Sequence, residues 1–576
     1  ALTAFLTPGG LKPYAPLANA DELLAAAKQE REAGNHDAAV AAAQALSTAC
    51  VHGTAYLHLY DRWLLMGVIT SCFLGWICVL GAELFMGAGT GNIRTGRTTA
   101  TTTAPDFVAV VVSCAACAVL AVRRSPATYY AYFNLPVWFA RHCFFAFVET
   151  AGAKKATEVP THHAHRLAVL VAATALTQTL CRAFHDRRVF SWLFAMTSIA
   201  LLVWAAVMAA TRSGERAAQN ASVAALVAAA GAGALAPFTL FPIDLGANSV
   251  WVVTGVACTG AIGVFAHFVL RPLDLFGDDP SDADALRPGY KLLVVQLTAL
   301  WCAGLVVWTV DGLQSAMASI PGWLHLAAWV IAIGAMPLPM FSPPRTLPRF
   351  VSVFLAAATA YALFSVSYES LFYAALGGTC LAWLTLERYV QKVRAVDELG
   401  GSQGKKGVVF ETLTAHRGVR EGDARHAAVF LALINAAFFG TGNIASVASF
   451  EISSVYRFTT RFKPFLMGGL LMLKVLIPMI TVAVAFLALL KLQRVPSFPV
   501  YLMFIALSDA MSITFFFQVT TEGSWQDIGM SISRYALMGT QVVTILLFLG
   551  LADMYARGLP VNGVRARFGK ESKKTR

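Results

Sequence analysis

The chain has 576 residues, of which 57% are hydrophobic and only 13% are charged, and its mean hydropathy is +0.62. Soluble globular proteins carry roughly a quarter charged residues, so this composition argues against a soluble enzyme and indicates a membrane protein. The formal net charge of +12 is explained by Lys and Arg in cytosolic loops, because the sequence contains no nucleic-acid-binding module.

The first sixty residues are the largest polar region at the N-terminal end. The stretch ADELLAAAKQEREAGNHDAAVAAAQALSTA predicts two alanine-rich helices, with Asp21 as the first helix cap and a turn at Gly34-Asn35. One helix-turn-helix unit cannot bury its own apolar face, so we expect this hairpin, residues 1–60, to pack on another domain. Residue 1 is Ala and not Met, and we expect the chain to begin within a longer protein.

Apolar segments follow one another from residue 61 to residue 560. A membrane-spanning helix needs about 20 largely apolar residues, so the sequence predicts an all-α, polytopic membrane helix bundle of about 13–15 transmembrane helices. The segment at 129–149 would also suit an interfacial helix, because it contains Pro136, Arg141 and His142. The fifteen candidate segments are 63–86, 106–122, 129–149, 166–183, 189–210, 218–240, 248–270, 291–310, 322–341, 349–365, 368–387, 426–449, 464–490, 497–518 and 530–556.

The loops between these segments differ strongly in basic residues. Suppose that the N-terminal end faces away from the cytosol and that all fifteen segments span the membrane. The loops on the cytosolic side then hold more than twice as many Lys and Arg residues as the loops on the side of the N-terminal end. Basic residues collect on the cytosolic side of membrane proteins. We therefore expect a lumenal or external N-terminal end, a cytosolic loop at 388–425 and a basic cytosolic tail at 561–576.

The chain ends in Lys573-Lys574-Thr575-Arg576. A lysine pair at this distance from the end is similar to the dilysine signal that returns membrane proteins to the endoplasmic reticulum, which is an address read by a receptor. A solvated basic tail is the other interpretation of the same residues. The cytosolic position that the loop charges predict for this tail favours the address.

Ionisable residues within apolar segments are candidates for function, because a charge in hydrocarbon is costly. Five residues fit this description: Glu83, His267, Glu369, Lys474 and Asp509. A buried Lys and a buried Asp on neighbouring helices would neutralise each other, so Lys474 and Asp509 form either a helix–helix ion pair or part of a lipid-headgroup or ion site. The sequence leaves both interpretations open.

The stretch FFGTGNIASVASFEISS, residues 438–454, interrupts an apolar helix with small and polar residues. Gly440 and Gly442 allow close backbone approach, and Thr441 and Asn443 can bind freed backbone groups. Irregular backbone at membrane depth is tolerated only where protein buries it or where it lines a polar cavity. The stretch therefore predicts either a broken helix beside a polar pocket or tight helix packing by small residues.

Other patterns are weaker. His162, His163 and His165 have the spacing of metal ligands, but a solvated loop is the better interpretation. Cys114 and Cys117 lie in a continuous apolar helix, where Cys behaves as a small hydrophobic residue. The polar stretches are too short for an ordinary catalytic domain. We therefore expect no catalytic residue and no metal site in this chain.

The stretch NAAFFGTGNIASVASFEISSVYRF, residues 435–458, resembles the membrane domain of the GPI ethanolamine phosphate transferase 1 family. Further similar stretches cover essentially the whole chain in the same order. They are YLHLYDRW (56–63), GWI (75–77), LPVWFA (135–140), SYESLF (367–372), FKPFLMGGLLMLKVLIP (462–478) and GSWQDIGMSIS (523–533).

The resemblance implies a multi-pass protein of the endoplasmic reticulum membrane that supports transfer of phosphoethanolamine. In this family, phosphatidylethanolamine donates the group to the first mannose of the GPI precursor glycolipid. The transfer is performed by an N-terminal, alkaline-phosphatase-like lumenal domain that holds a divalent metal, expected to be zinc. That domain would be the chain's partner, together with the two lipids and the membrane. No catalytic residue of the family falls on a position of this sequence.

A membrane cavity that receives both lipids would need polar groups at depth. We expect Asn443, Glu451, Lys474 and Asp509 to lie near such a cavity, with Trp525 and Asp527 at its lumenal rim. These assignments rest on polarity at depth and on position in the similar stretches. Two other functions stay open: a polytopic transporter or lipid translocator with a broken-helix site, and a scaffold that docks a catalytic domain through residues 1–60.

Overall fold

The computed structural model describes residues 14–59, 62–87, 103–122, 125–154, 163–212, 215–242, 246–270, 287–343, 346–398, 423–440, 453–459, 461–493, 495, 497–521 and 523–556. Every regular element in these ranges is helical, which confirms the predicted all-α polytopic bundle. The chain divides into two compact units, residues 1–161 and 162–576. The predicted division at residue 60 thus falls inside the first unit.

Five α-helices belong to the first unit and twelve to the second, counted over the described ranges. The first unit contains α1 (Ala20–Glu32), α2 (His36–Leu59), α3 (Arg62–Gly87), α4 (Thr103–Val122) and α5 (Ala127–Lys154). The second contains α6 (His163–Ala183), α7 (Arg188–Thr211), α8 (Arg216–Leu235), α9 (Ser249–Phe265), α10 (Arg287–Ser315), α11 (Gly322–Ala335), α12 (Thr346–Phe364), α13 (Glu369–Glu398), α14 (Ala424–Phe439), α15 (Pro464–Gln493), α16 (Ser497–Phe517) and α17 (Trp525–Ala556).

Each of the fifteen predicted segments contains one of the helices α3 to α17. Among the described residues, eleven helical stretches are long and apolar enough to cross a membrane. Helices α6 and α14 contribute only shorter apolar stretches, and α5 and α13 do not meet the criterion. Two boundaries differ most from the prediction: α14 ends at Phe439 within the segment 426–449, and α13 continues to Glu398, into the predicted loop 388–425.

The predicted N-terminal hairpin is formed by α1 and α2. Its turn lies at Gly34, whose φ of 81° favours glycine. Helix α1 begins after Asn19, which occupies the cap position, so the predicted cap Asp21 lies in the first helical turn instead. A short 3₁₀ turn at Ala15–Leu17 packs on α2, where a Cβ at Gly53 would overlap Leu17. This turn covers part of the apolar surface that the hairpin cannot bury alone.

The ambiguous segment 129–149 is a helix, α5, with Pro136 inside it. Arg141 of α5 pairs with Asp106 of α4, and its guanidinium carbon lies 5.5 Å from the ring centroid of Trp138. On the other side α3 packs closely, because Gly75 would place a Cβ 2.8 Å from Phe139. The ion pair and the aromatic contact explain how a basic residue is accommodated in this apolar segment.

Helices α12 and α15 form the centre of the second unit. Of the most apolar 18-residue stretch of each, 89% is buried in α12 and 78% in α15. Helix α7 is the opposite case, with only 11% of its stretch buried and with large side chains such as Trp192, Ile199 and Val203 exposed. A surface this apolar would be unfavourable in water, so α7 faces lipid.

Helices α13, α15 and α17 run in the same direction. Lys474 in the first half of α15 pairs with Glu369, the first residue of α13. Near its other end, Lys491 of α15 pairs with Asp553 close to the end of α17. Lys474 and Lys491 are 17 residues apart along α15, which is about 26 Å at 1.5 Å per residue. A chain that crosses the membrane with every helix reverses its direction each time, so every second helix must run in the same direction.

Glycine allows one particularly close helix crossing, and this gives a prediction. A Cβ at Gly255 of α9 would overlap the backbone of Ser370 and Leu371 in the first turn of α13, whereas a Cβ at Gly334 of α11 would meet nothing within 4 Å. Gly255→Ala should therefore lower the thermal unfolding midpoint in detergent. Gly334→Ala should leave it unchanged or raise it slightly, because Ala is the better helix former. Equal midpoints for the two variants would contradict this packing.

Candidate functional site

The glycine-rich stretch begins at the end of α14. Helix α14 ends at Phe439, and Gly440 follows in a turn where a Cβ would overlap the ring of Phe372 in α13. The ring of Phe439 lies 4.6 Å from Phe184 and 5.6 Å from Phe190, centroid to centroid. The expected close backbone approach at Gly440 is therefore present. Residues 441–452 lie outside the described residues.

On the far side of the stretch, a 3₁₀ turn at Ser453–Arg457 leads to a fully buried guanidinium group. Both Nη2–Oδ distances between Arg457 and Asp311 of α10 are 3.0 Å. Nη1 of Arg457 also donates to the carbonyl oxygens of Leu363 (3.0 Å) and Ser365 (2.5 Å). Burial lowers the pKa of Arg457, and the Asp311 carboxylate opposes that shift. The charge is thus paired and its donors are used.

Helix α11 holds the same turn from another side. Nδ1 of His325 lies 2.9 Å from the carbonyl oxygen of Arg457, and Nε1 of Trp329 donates to the carbonyl oxygen of Phe458 at 3.1 Å. The Phe458 ring stacks on Phe364 at the end of α12, with centroids 4.6 Å apart. Backbone carbonyls that no helix satisfies therefore have side-chain partners here.

The short turn between α12 and α13, residues 365–368, is buried along its whole length. Oε2 of Glu369 accepts a hydrogen bond from the backbone N–H of Val366 at 2.9 Å, and Oε1 lies 2.8 Å from Nζ of Lys474. We call Asp311, Ser365, Glu369, Arg457 and Lys474 the turn cluster. It consists of two buried ion pairs around one buried turn, and the chain on both sides of 441–452 contacts the helices that flank this turn.

The structure changes the predicted pairing of Lys474. Its carboxylate partner is Glu369, another of the five buried candidates, and not Asp509 as expected from the sequence. Asp509 is buried in α16. The choice of partner follows from helix packing, because α15 contacts the beginning of α13 at the depth of Lys474. Pro478 lies four residues further along α15 and cannot donate to the carbonyl oxygen of Lys474.

The remaining predicted site residues do not join the turn cluster. Asn443 and Glu451 lie outside the described residues. Trp525 is 90% exposed at the beginning of α17. Asp527 is exposed as well, and its Oδ2 accepts from the hydroxyl of Ser524, whose Oγ in turn accepts from the Asp527 N–H. Ser524 thus caps the helix by accepting from the Asp527 N–H, and the Asp527 carboxylate orients the Ser524 hydroxyl, which gives Asp527 a part in helix initiation.

Two charged members of the turn cluster, Asp311 and Arg457, are not among the residues predicted from the sequence. Asp311 lies one residue beyond the predicted segment 291–310 and was therefore treated as part of a loop. Arg457 lies within the glycine-rich family stretch but outside any apolar segment. Both residues lie beside short connections between helices, and a short connection at a helix end is easily buried. This feature of the sequence could have indicated Asp311 and Arg457.

A second polar group lies near the other end of α13 and α15 and was also missed. Glu387 pairs with Arg425, and its Oε2 accepts from Nε2 of Gln493 at 3.1 Å. Nε2 of the buried His426 lies 3.0 Å from Oε1 of the same glutamine. These residues join α13, α14 and α15. Glu387 and Arg425 lie at the two boundaries of the predicted loop 388–425, where hydropathy does not indicate burial.

The described residues contain no group of three or more His, Cys, Asp or Glu side chains placed to hold a metal ion. His162 and the side chains of His163 and His165 lie outside the described residues. The donors that zinc prefers are thus not assembled in the described part of the chain.

Residues 52–524 match the family described as phosphatidylinositolglycan class N (PIG-N). The chain belongs to the PIG-N family. Three similar proteins are named GPI ethanolamine phosphate transferase 1, from Neurospora crassa, Chaetomium globosum and human, and each is 27% identical to the chain. The alignments cover 98%, 97% and 90% of the chain, and 57%, 62% and 54% of the relatives. The resemblance inferred from the FFGTGNIAS stretch is confirmed.

The chain therefore spans little more than half the length of these PIG-N relatives. No solved structure matches it. Within the family match, the turn cluster draws on residues 311, 365, 369, 457 and 474, which all lie between 52 and 524.

Proposed function

We propose that this chain is the membrane portion of a GPI-anchor biosynthesis enzyme that transfers phosphoethanolamine from phosphatidylethanolamine to the first mannose of the GPI precursor. The observation that carries the proposal is the PIG-N match over residues 52–524, with relatives named for ethanolamine phosphate transfer. The reaction itself would take place in an N-terminal, alkaline-phosphatase-like domain of the same protein. Any zinc ion would be held by that domain.

The membrane portion would receive and present the two lipid substrates. Both substrates have acyl chains, so a catalytic domain in the lumen needs their headgroups at the membrane surface. The turn cluster supports this role, because it is a polar region buried among apolar helices and lies next to both sides of the family stretch. Lys474 and Asp509 remain proposed contributors. The other four predicted site residues also remain proposed contributors; they are Asn443, Glu451, Trp525 and Asp527.

We propose the endoplasmic reticulum membrane as the location, with a lumenal N-terminal end and a cytosolic C-terminus. The loop charges and the Lys573-Lys574 pair support this orientation. The hairpin at 1–60 would then lie beside the catalytic domain, the membrane domain would occupy 61–560, and the basic tail 561–576 would be cytosolic.

The test uses the full-length protein in cells that lack their own GPI ethanolamine phosphate transferase 1. We expect it to restore phosphoethanolamine on the first mannose of the precursor, measured by mass spectrometry of extracted glycolipids. The empty vector is the control. Accumulation of unmodified precursor, despite normal protein level and correct location, would contradict the proposal.

A transporter or lipid translocator is the second candidate. It is favoured by the end of α14 at Phe439, where a membrane helix ends before the glycine-rich stretch. The gene sequence upstream of Ala1 separates the two candidates. A phosphatase-like domain with clustered Asp and His residues is expected for the transferase, and its absence would favour the translocator.

A further inference from the structure

The buried charges around the α12–α13 turn do not balance when Arg187 is included. Asp311 pairs with Arg457 and Glu369 pairs with Lys474. Arg187 lies at the end of the α6–α7 connection, and within the described residues it forms no ion pair. Three cations therefore surround the turn with two carboxylates. A partly buried cation without a counter-charge is unfavourable, unless a ligand supplies the missing negative charge.

The position of the Arg187 side chain also indicates a missing ligand. Its Nη1 atom is buried and has no hydrogen-bond partner. The guanidinium lies close enough to the hydroxyl of Tyr368 to interact with it electrostatically, and Tyr368 directly precedes Glu369. A buried donor that is left unused costs free energy, so such atoms often mark a missing ligand.

The other charged residues of the α6–α7 connection do not neutralise Arg187. Asp186 is exposed, and its Oδ1 accepts from the backbone N–H of Arg188 at 3.0 Å. Arg182 and Arg188 are exposed and add positive charge. The exposed His185 stacks on Phe515, and its Nδ1 lies 3.1 Å from the carbonyl oxygen of Cys181.

Aromatic side chains connect this region with the lipid-facing surface. Phe241 lies 5.3 Å from Tyr368 and 6.3 Å from Trp251, measured between ring centroids. Trp251 is 40% exposed. An amphipathic ligand could thus place acyl chains against Trp251 and Phe241 while its polar group reaches Arg187.

We infer that Arg187 and Tyr368 form a binding site for a phosphate group. Guanidinium groups bind phosphate oxygens through two parallel N–H bonds, and a neighbouring tyrosine hydroxyl supplies a further donor. A lipid phosphodiester or a free phosphate ion offers this group, and the aromatic path favours the lipid. The inference rests on the proposed function only in the identity of the lipid, since both proposed substrates carry phosphodiesters.

The site is tested by thermal unfolding of the full-length protein in a nonionic detergent. The probes are dioctanoyl phosphatidylethanolamine, dioctanoylglycerol, which lacks phosphate, and inorganic phosphate. We expect the phospholipid to raise the unfolding midpoint and dioctanoylglycerol to leave it unchanged. Arg187→Gln should weaken the apparent affinity about tenfold, as expected for loss of a charge-assisted hydrogen bond. Arg187→Lys keeps the positive charge but lacks the planar guanidinium group. Its apparent affinity should lie between those of the wild type and Arg187→Gln.

Arg188→Gln is the matched control, because it removes an exposed arginine from the same connection and should bind like the wild type. Without any probe, Arg187→Gln should unfold at the wild-type midpoint or above it, since an unpaired charge is removed. An equal loss of binding in both variants would overturn the site. So would a phospholipid effect no larger than that of dioctanoylglycerol together with no effect of inorganic phosphate. Stabilisation by inorganic phosphate alone, lost in Arg187→Gln, would support the phosphate site with a free ion as its ligand.

The failure of this site and the failure of the proposed function give different results. If Arg187 governs phospholipid binding but the wild-type protein never modifies the precursor, the site stands and the transferase proposal is contradicted. If transfer is normal in the wild type and Arg187→Gln binds phospholipid normally, the transferase stands and the site is contradicted.

Discussion

Arg457→Met is expected to lower the free energy of unfolding by about 3–5 kcal/mol, which is the usual cost of removing one partner of a buried ion pair. The variant leaves the Asp311 carboxylate buried without its counter-charge. It also removes the donors of two backbone carbonyl oxygens, those of Leu363 and Ser365. Thermal or denaturant unfolding of the full-length protein in detergent measures the change, and the level of protein in cells should fall with it.

Arg461→Met is the matched control, because Arg461 is exposed in the same part of the chain. It should change stability by less than about 0.5 kcal/mol. The double variant Asp311→Asn with Arg457→Met removes the unpaired charge but leaves the two carbonyls without donors. It should therefore recover only part of the loss. Full recovery would show that the carbonyl contacts contribute nothing, and no loss in Arg457→Met would contradict the buried pair.

The helical architecture was predictable because each transmembrane helix is a long apolar run, and every predicted segment contains a helix. The ends were less predictable. Helix α13 continues to Glu398, past the point where charged residues begin, since Glu387 and Arg388 are buried by neighbouring helices. Helix α14 ends at Phe439, and Gly440 beside it contacts Phe372 of α13. Both boundaries lie at contacts between helices, which hydropathy does not contain.

The candidate site was predicted in part. The sequence predicts Lys474 and Glu369 as buried ionisable residues and offers Asp509 as a possible partner of Lys474, whereas the structure pairs Lys474 with Glu369. Burial follows from the hydropathy of one segment, whereas pairing depends on which segments are neighbours at a given depth. Asp527 remains a predicted lipid contact, and the structure shows a local role for it beside Ser524 at the beginning of α17.

The two ion pairs and Arg187 suggest a division of roles around the turn. Lys474 and Arg457 each have a carboxylate, so a phosphate would have to compete with a buried counter-ion at either position. Arg187 has no such competitor among the described residues. The paired cations therefore fit a structural role, and the unpaired cation fits a role in binding.

The Lys474–Glu369 pair gives the second large effect. Lys474→Met alone should lower the free energy of unfolding by about 3–5 kcal/mol, because Glu369 keeps its buried charge. Glu369→Gln alone should cost a similar amount, although the glutamine can still accept from Val366. The double variant leaves no buried charge, and it should cost clearly less than the sum of the two singles. The double-mutant cycle, measured by unfolding in detergent, gives the coupling between the two side chains.

Phosphoethanolamine transfer by the same four proteins then decides the role of Lys474. If the pair only joins α13 to α15, the double variant should regain protein level and should transfer at the wild-type rate per molecule. If Lys474 contacts a lipid headgroup, the double variant should regain level but lose transfer, because the cation is absent in a folded protein. A single variant cannot separate these cases, since it loses stability and charge together. The double variant is therefore the decisive protein, because its stability is restored while the cation at position 474 stays absent.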